Sequence, residues 1–303
     1  MARKDDTQIL AELAADDDGL RTKPVGVWSL EKLATLLLYF QAFTTACKSV
    51  GGGYYVDGLS GPGVCRIRNA QPLPYFAWGS PLLALRTKPD FQRCLFIEVK
   101  EASAAALQQR IVPFGARGDI YPGDVNEVAP RLVREEVPPG APCFCLFDQQ
   151  GTEVGWHTIA SVATTPGRRR KPELMILLPL QMSLLRLLST NRPITGANAL
   201  RMNFVYGNDE WRLIYESRLA GDVTPGEARE QYLDLYCNRL RGLQYKYVQS
   251  RIIRAPRAPG QRRQDMYYLV FATDHEAGSQ IMEDVFRRGY ALDFPVTAQP
   301  RLL

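Results

Sequence analysis

The chain has 303 residues, a hydrophobic fraction of 46% and a formal net charge of +5. This length supports one large domain or two small ones, and the hydrophobic fraction is ordinary for a globular protein. No apolar run approaches the roughly 18 residues that a membrane-spanning helix needs, and the N-terminal residues lack the apolar centre of a signal peptide. The composition therefore argues against a membrane protein and leads us to expect a cytoplasmic one.

The six cysteines show no pattern typical of a metal site. None of them belongs to a Cys-x-x-Cys pair, and the chain has only two histidines that could add nitrogen ligands. Several cysteines lie in apolar strand-like runs, where a free cysteine acts as a small hydrophobic residue. We therefore expect no zinc or iron–sulfur site, and a reducing compartment fits best.

The first part of the chain, residues 1–50, is expected to form an arm and a helix. Its first 18 residues mix acidic and basic side chains, which indicates a solvated arm or a short surface helix. From Trp28 to Cys47 apolar residues recur at helical spacing, and Ser29 is suited to cap the helix. Three consecutive glycines at 51–53 then end it.

The segment 54–63, which reads YYVDGLSGPG, constrains function more than any other. It predicts an apolar strand that ends in Asp57 and runs into a glycine-rich turn. Such a turn puts bare backbone at the carboxyl edge of a sheet, where open α/β folds bind ligands. Gly61 and Gly63 permit a sharp turn beside a flat ligand, and Pro62 stiffens it. The alternative is an ordinary strand-to-loop junction.

A predicted loop at 64–78 separates this turn from the next helix. Ser80 is suited to the N-cap and Pro81 to the first helical position. In dinucleotide-binding proteins the helix begins within the glycine motif, so that its N-terminus faces the pyrophosphate. The late start of this helix therefore disfavours a cofactor that carries phosphate.

Strands and helices then alternate up to residue 190, which argues for a mostly parallel sheet with helices on both faces. This Rossmann-like core is expected to span residues 51–190. The pattern predicts strands at 93–99, 143–148 and 174–178, helices at 102–110, 126–136 and 156–162, and turns at 118–119 and 123–126.

The C-terminal third has a different order of predicted elements. Residues 191–222 interrupt the alternation of strands and helices and are interpreted as an insertion, either a lid or a small subdomain. A capping box from Thr224 to Glu227 begins a helix that runs to about Arg241. Two β-rich runs at 245–254 and 266–273 indicate an antiparallel pair, and a helix at 277–288 follows. We expect residues 223–303 to complete the same domain.

Acidic residues at predicted strand ends form the candidate site. Parallel strands would bring Asp57, Glu98 and Asp148 to one edge of the sheet. A carboxylate at the end of the second strand is well placed to accept both hydroxyls of a ribose. Asp119 or Asp124 could accept an adenine amino group. S-adenosylmethionine fits this arrangement because it has a ribose and an adenine but no phosphate; the alternative is that the acids cap loops or helices.

Asp148 is the candidate on the acceptor side. In this class of fold the corresponding strand end meets the acceptor substrate. A carboxylate there could orient or deprotonate a nucleophile, or hold a nearby helix in place. His157 is close in sequence, but a lone histidine beside Trp156 is more typical of a structural role.

Two basic clusters suggest that the protein binds RNA or DNA. Dense arginine and lysine runs suit a phosphate backbone, although a solvated face is the alternative. The candidate nucleic-acid-binding residues are Arg168, Arg169, Arg170 and Lys171 in the first cluster and Arg251, Arg254, Arg257, Arg262 and Arg263 in the second.

Several motifs, in order along residues 28–288, resemble the three-Cys-motif partner protein (TcmP) family. They are YYVDGLSGPG at 54–63, GSPLLAL at 79–85, FIE at 96–98, GDVN at 123–126, FDQQG at 147–151, YYLVFAT at 267–273 and GSQIM at 278–282. That family is itself similar to class I S-adenosylmethionine-dependent methyltransferases. The resemblance implies an α/β, Rossmann-like class I methyltransferase fold with a C-terminal antiparallel pair. It also implies a protein partner with a three-cysteine motif, related to radical enzymes.

The candidate cofactor-binding set combines the strand-end acids with the motif residues. Asp57 and Glu98 are its main acids, and the glycine turn supplies the backbone that faces the ligand. The full set is Asp57, Gly58, Gly61, Pro62, Gly63, Glu98, Asp119, Asp124 and Asn126.

The chain departs from the family where substrate is expected. The family usually reads Asp-Pro-aromatic-Gly at positions 148–151, whereas this chain reads DQQG. Gln150 cannot stack on a base, although it can hydrogen-bond a base edge, so N6-adenine methylation is disfavoured. Two functions stay open. One is a methyltransferase-like enzyme that acts on or binds nucleic acid, and the other is a catalytically silent subunit of an antiphage or RNA-modification assembly.

Overall fold

The computed structural model describes residues 5–68, 70, 73–188, 193–255 and 264–289. Its ten strands divide between a large sheet and a small one. In chain order the strands are β1 (Lys23–Val25), β2 (Tyr54–Asp57), β3 (Val64–Ile67), β4 (Phe76–Trp78), β5 (Arg93–Glu98), β6 (Gly118–Pro122), β7 (Cys143–Phe147), β8 (Glu173–Leu178), β9 (Tyr247–Ala255) and β10 (Gln264–Thr273).

The large sheet has the strand order β6-β5-β2-β7-β8-β10-β9. The first five of these strands are parallel, whereas β10 runs antiparallel to both β8 and β9. This order is that of the class I methyltransferase fold, so the predicted fold class is confirmed. The order reverses at β2, which pairs with β5 on one side and β7 on the other. Open α/β sheets bind ligands at such a switch point, beyond the carboxyl ends of the strands.

Helices cover both faces of this sheet, and each face has its own apolar core. On one face α2 packs against an aromatic cluster in which Tyr39, Phe40 and Phe43 contact Tyr55 and Phe144. The helices are α1 (Asp6–Leu13), α2 (Ser29–Ala46), α3 (Ser80–Arg86), α4 (Glu101–Ile111), α5 (Val125–Glu135), α6 (Trp156–Ala163), α7 (Leu185–Leu187), α8 (Gly196–Tyr206), α9 (Trp211–Ala220), α10 (Pro225–Gly242) and α11 (Glu276–Gly289).

Strand β6 lies where the sequence pattern predicts a turn at Gly118 and Asp119. The strand is short and has glycine and proline at its ends, so it lacks the usual composition of a strand. Pairing with β5 nevertheless places Gly118 opposite Cys94 and Ile120 opposite Phe96. The turn prediction is wrong at these residues because tertiary pairing outweighs local propensity.

The small sheet also differs from the sequence prediction. Its order is β1-β3-β4, and both β3 and β4 fall within the predicted loop 64–78. Strand β1 from the N-terminal segment pairs in parallel with β3, the strand that directly follows the glycine turn. Helix α1 is the short surface helix that is one of the two expectations for this segment, and it packs Ile9 and Leu13 against the core.

The segment predicted as an insertion contains two helices, α8 and α9. Helix α8 begins at a Thr195 cap and packs against α6, next to the carboxyl edge of the large sheet. The capping box at Thr224 is present, with the Thr224 hydroxyl accepting from the Glu227 backbone. Among the described residues, no helix combines the length and apolarity needed to cross a bilayer.

Candidate functional site

A cavity of about 600 Å³ lies at the carboxyl ends of β2, β5 and β7. This volume is within the range of small-molecule sites in proteins. The glycine turn, the loops after β5, β6 and β7, and the N-terminal segment 21–24 form its walls. Its position is therefore that expected of the ligand site in a sheet of this strand order.

Glu98 is held with its carboxylate at the cavity. One oxygen accepts the backbone N–H of Gly61 at 2.7 Å, and the other accepts that of Lys100 at 2.7 Å. The side chain is buried at the end of β5 and also lines the cavity. A carboxylate oxygen has more than one lone pair, so each oxygen can accept a further hydrogen bond from a ligand hydroxyl.

Asp57 shares the sheet edge with Glu98 but has different surroundings. Its carboxylate accepts from the Tyr55 hydroxyl at 2.7 Å and from the Leu59 backbone at 3.3 Å, and the side chain is fully buried. Burial raises the pKa of Asp57 to about 6, although hydrogen bonds from Ser80 and Tyr55 oppose the rise. Asp57 therefore shapes the glycine turn from beneath and is not among the residues that line the cavity.

The glycine turn needs its glycines for two physical reasons. Gly61 and Gly63 have φ angles of +64° and +90°, which non-glycine residues rarely adopt. In addition, Gly79 donates its N–H to the Gly63 carbonyl at 2.7 Å, so two backbones meet here. Gly58, Gly61 and Pro62 line the cavity, whereas Gly63 lies beside the apolar side chains of Leu82 and Leu107.

Asp148 lies at the cavity floor and is ion-paired. Its Oδ2 is 2.5 Å from Nζ of Lys32 and 3.7 Å from Nζ of Lys23. Burial alone would lower the pKa of Lys23, but the charge of Asp148 and weaker interactions with neighbouring acidic groups outweigh it and raise that pKa. The carboxylate of Asp148 is thus held in place by two lysines, which suits it to orienting a substrate or a neighbouring group.

Asp124 and Asn126 sit together on the side of the cavity that follows β6. Asp124 caps α5 and accepts from both the backbone and the side-chain nitrogen of Asn126 at 2.7 Å. Asn126 also donates to the Glu153 carbonyl, and its oxygen accepts from the Gly155 backbone and the Thr158 hydroxyl. The structure therefore brings both residues to the cavity, with Asn126 connecting the loops after β6 and β7.

Asp119 is not brought to the cavity. It lies near the start of β6, opposite Leu95, and not near the carboxyl end of that strand. Its carboxylate is 2.6 Å from a guanidinium nitrogen of Arg93, which also pairs with Glu136. This ion pair gives Asp119 a structural partner near the amino ends of β5 and β6, next to the C-terminus of α5.

The N-terminal segment forms the roof of the cavity, and Arg110 on α4 holds it there. The Arg110 guanidinium donates to both carboxylate oxygens of Asp18, to the Arg21 carbonyl and to the Pro62 carbonyl at 2.5–2.7 Å. One buried side chain thus joins the roof to the glycine turn. The hydrogen bonds from Arg110 lower the pKa of Asp18.

The first basic cluster lies at the opposite edge of the sheet from the cavity, because it precedes the first residue of β8. Arg168 donates to the carbonyls of Val137, Pro138 and Ala141, and Lys171 donates to those of Leu243 and Gln244. Arg169 and Arg170 are exposed. Only part of this cluster therefore offers charge to a partner.

The second basic cluster is less available to a nucleic acid than the sequence indicates. Arg251 is buried on β9 and ion-paired with Glu31 on α2, so it cannot contact a nucleic acid from this position. This corrects the sequence interpretation, which took a run of arginines as one surface patch. Arg254 is bonded to Asp265 at 2.9 Å. Arg257, Arg262 and Arg263 lie outside the described residues.

Four residues of the site lie outside all of the sequence motifs: Lys23, Lys32, Arg110 and Phe204. Lys32 stands on the buried face of an apolar helix, and a charge at such a position signals a buried partner. The other three give no comparable signal, since their segments reach the site only through tertiary packing. In the described part of the chain, no group of three or more His, Cys, Asp or Glu residues is arranged to hold a metal ion.

No protein-family model and no curated protein matches this sequence. Solved structures of methyltransferases resemble the fold at low identity. The O-methyltransferase TomG from Streptomyces achromogenes, solved in complex with SAM, is 11% identical with a TM-score of 0.40 and covers 80% of this chain and 79% of its own. Precorrin-6y C5,15-methyltransferase from Geobacter metallireducens is 11% identical with a TM-score of 0.39 and covers 87% and 98%.

Protein LPL1258 from Legionella pneumophila is 10% identical with a TM-score of 0.48, and the match covers 84% of this chain and 90% of that one. All three TM-scores are below 0.5. These likenesses therefore assign neither a family nor a reaction to this chain, and the fold class rests on the strand order itself.

Proposed function

We propose that the cavity binds S-adenosylmethionine and that the protein is a class I methyltransferase-like protein. The observation that carries this proposal is the Glu98 carboxylate, which backbone N–H groups hold at the end of β5 with its oxygens at the cavity. A carboxylate at this place in a doubly wound sheet is suited to the two hydroxyls of a ribose. The cofactor would supply an electrophilic methyl group when bound.

The other residues at the cavity fit the remaining parts of this cofactor. Asp124 supplies an acceptor for the adenine amino group, and the glycine turn leaves room for the chain that carries the sulfonium. Helix α3 begins at Ser80, after β3 and β4, whereas in dinucleotide-binding proteins the helix begins within the glycine motif so that its N-terminus faces the pyrophosphate. The donor set therefore suits a nucleoside without phosphate better than a dinucleotide.

Calorimetry with S-adenosylmethionine tests the proposal. Wild type should bind, and Glu98→Ala should lose on the order of 10- to 100-fold in affinity because a charged hydrogen-bond partner is removed. Glu101→Ala is the matched control, since Glu101 is exposed three residues further along. ATP should bind at least 10-fold more weakly than the sulfonium ligand, a difference of about 1.4 kcal/mol or more. Absence of heat from wild type would rule the proposal out.

The acceptor and the partner belong to the same proposal. The exposed Arg169 and Arg170, at the edge of the sheet opposite the cavity, support a nucleic acid as a bound partner, and the resemblance to TcmP proteins supports a three-Cys-motif protein as a further partner. A salt titration of RNA and DNA binding addresses the first point. If phosphate contacts hold the complex, affinity should fall steeply with salt, and Arg169→Glu should weaken it. Affinity that stays constant across the titration would count against nucleic acid.

A second candidate function is a catalytically silent subunit that keeps the ligand site. The paired state of Asp148 favours it, because the carboxylate oxygen that would take a proton lies 2.5 Å from the Lys32 ammonium group and is already engaged by that donor. Ligand binding without methyl transfer to RNA, DNA or protein, in the presence of the three-Cys-motif partner, would support this candidate. Transfer of label from methyl-labelled S-adenosylmethionine would contradict it.

A further inference from the structure

The small sheet β1-β3-β4 has one buried face and one exposed face. Successive side chains along a strand point to opposite faces of a sheet. On β3, Cys65 and Ile67 are buried in the core that lies against α2, whereas Arg66 is exposed. Arg68 follows β3, donates its backbone N–H to the Val25 carbonyl at 2.9 Å and is also exposed. Two arginines therefore stand on the side of this sheet that faces away from the core.

Strand register places an aromatic ring and the cavity wall beside the first of these arginines. Arg66 lies opposite Phe76 on β4 and opposite Pro24 on β1. Directly opposite residues of an antiparallel pair have Cβ atoms about 5 Å apart on the same face. Phe76 is half-buried, and Pro24 is among the residues that line the cavity. The row Pro24, Arg66, Phe76 thus begins at the cavity and runs across the small sheet.

A third arginine lies at the other end of the same face. Trp78 is two residues beyond Phe76 on β4, so both rings belong to one face of the strand. The guanidinium carbon of Arg86 on α3 is 4.5 Å from the centroid of the Trp78 ring. Such a stack holds the guanidinium plane and leaves its N–H groups for an acceptor. The outer face of the small sheet thus consists of Arg66, Arg68, Phe76, Trp78 and the stacked Arg86.

The protein does not use these three charges for ion pairs of its own. Within the described ranges, Arg66, Arg68 and Arg86 have no carboxylate within 4 Å, whereas Arg110 is bonded to Asp18. An acidic run at 16–18 bounds the face beyond the edge of β4, where the N–H of residue 15 donates to the carbonyl of residue 76. Guanidinium groups without acidic partners beside accessible rings are suited to phosphates and to stacked bases.

We propose that the outer face of the small sheet binds single-stranded nucleic acid and leads it to the cavity. The arginines would contact phosphates, and Phe76 would stack on a base. A single strand is favoured over a duplex because only an unpaired base can turn its face onto a side chain. The proposed function gives this face no part, and the binding does not depend on the cofactor. Only the delivery of the strand to a methyl donor rests on the proposed function.

Fluorescence anisotropy with labelled oligouridylate and oligothymidylate of about 8 nucleotides tests the proposal. Binding of either strand by wild type, with an affinity that falls as salt rises, supports it. Arg66→Glu combined with Arg68→Glu should weaken binding on the order of 10- to 100-fold, because it puts two negative charges where phosphates lie. Arg131→Glu combined with Arg134→Glu is the matched control. It changes the net charge equally, on α5 at the opposite face of the large sheet, and should bind like wild type.

A second comparison tests the stacking. Phe76→Leu keeps an apolar side chain but removes the ring, so single-strand affinity should fall by about 10-fold. The same strand paired with its complement should bind at least about 10-fold more weakly than the single strand, and Phe76→Leu should not change that weaker binding. Thermal unfolding shows whether each variant folds. The exposed Arg66 and Arg68 keep the proposal testable even if Phe76→Leu is unstable.

The outcomes separate this surface from other partners and from the cofactor proposal. Wild-type affinity in the Arg66 and Arg68 double variant, together with a loss in Arg169→Glu, overturns the surface and leaves the proposed function standing. Competition by polyglutamate or by phosphatidylserine vesicles as strong as that by unlabelled oligonucleotide would also overturn it, in favour of an acidic protein or a membrane. Calorimetry on the double variant should show unchanged S-adenosylmethionine binding. Oligonucleotide binding that depends on Arg66 and Arg68, in a protein that binds no S-adenosylmethionine, supports the surface and contradicts the proposed function.

Discussion

Nζ of Lys32 lies 2.5 Å from Oδ2 of Asp148, and the two side chains are only 9% and 7% exposed. This pair joins the buried face of α2 to the floor of the cavity. Lys23 stands 3.7 Å from the same oxygen and is more exposed. Asp148, at the end of β7, is therefore already ion-paired within the protein. The contribution of this pair to stability is the first property to test.

Lys32→Met should destabilise the protein because it leaves the buried Asp148 without its main partner. We expect a loss of about 2–4 kcal/mol in the free energy of unfolding, toward the lower end of the range for broken buried pairs because Lys23 remains nearby. Lys88→Met removes an exposed ion pair with Asp90 and should cost less than about 1 kcal/mol. Denaturant unfolding of both variants measures the difference. Equal losses in the two variants would show that the buried Lys32–Asp148 pair stabilises the protein no more than an exposed ion pair does.

Asp57 should make stability depend on pH. Its pKa in the folded protein is about 6, against an ordinary value of 3.8, so the folded state binds a proton that the unfolded state releases between these pH values. Stability is therefore lost as the pH rises from about 4 to about 6, by about 3 kcal/mol in total, and stays lowered above that range.

Asp57→Asn should remove this dependence. Relative to wild type, the variant should gain about 2 kcal/mol in unfolding free energy between pH 4.5 and pH 7.5. Asp16→Asn changes an exposed acid and should leave the dependence as it is. Unfolding curves at the two pH values provide the measurement. A variant that keeps the wild-type slope would refute the raised pKa.

Gly79→Ala should weaken the glycine turn by steric contact. A Cβ at this position would lie 2.9 Å from the Gly63 carbonyl oxygen, a backbone atom that cannot rotate away. We expect a cost of about 1–3 kcal/mol in unfolding free energy, as for other overpacked sites, together with weaker ligand binding. Gly140→Ala is the control, since nothing lies within 4 Å of its added Cβ. A Gly79→Ala protein as stable as the control would show that the turn can shift freely.

Arg110→Met should release the roof of the cavity. The substitution removes the hydrogen bonds to Asp18, to the Arg21 carbonyl and to the Pro62 carbonyl. Hydrogen–deuterium exchange at residues 18–25 should accelerate, since local opening becomes less costly. The surface substitution Arg134→Met should leave exchange there unchanged. Unaltered protection of residues 18–25 in Arg110→Met would mean that β1 pairing alone holds the roof.

Much of the large sheet follows from local patterns. The runs at 54–57, 93–98, 143–147 and 173–178 are short, apolar and bounded by turn residues, and each is a strand in the structure. Alternation with helices predicts their parallel arrangement, because a crossover connection returns the chain to the same edge. Glu98 and Asp148 reach the cavity for the same reason, since both end parallel strands.

Other parts of the site could not be predicted in this way. Strand β6 has glycine and proline at its ends, and β1, β3 and β4 are only three or four residues long, so no period is visible in them. In sequence Arg251 cannot be distinguished from the neighbouring arginines. In the structure it is buried on β9 and forms an ion pair with Glu31. Asp119 and Asp124 are both aspartates of one short segment, and only the bounds of β6 separate them: Asp119 lies near the start of the strand, and Asp124 follows its carboxyl end at the cavity.

The sequence by itself determined the fold class and the edge of the sheet at which the cavity lies, because strand periodicity and glycine conformation are local properties of the chain. Tertiary structure alone decided that Asp57 is buried, that Lys32 neutralises Asp148, and that Arg110 and Phe204 close the cavity. Those residues come from segments far apart along the chain. Their pairing depends on how layers pack and exclude water, which no short stretch of sequence specifies.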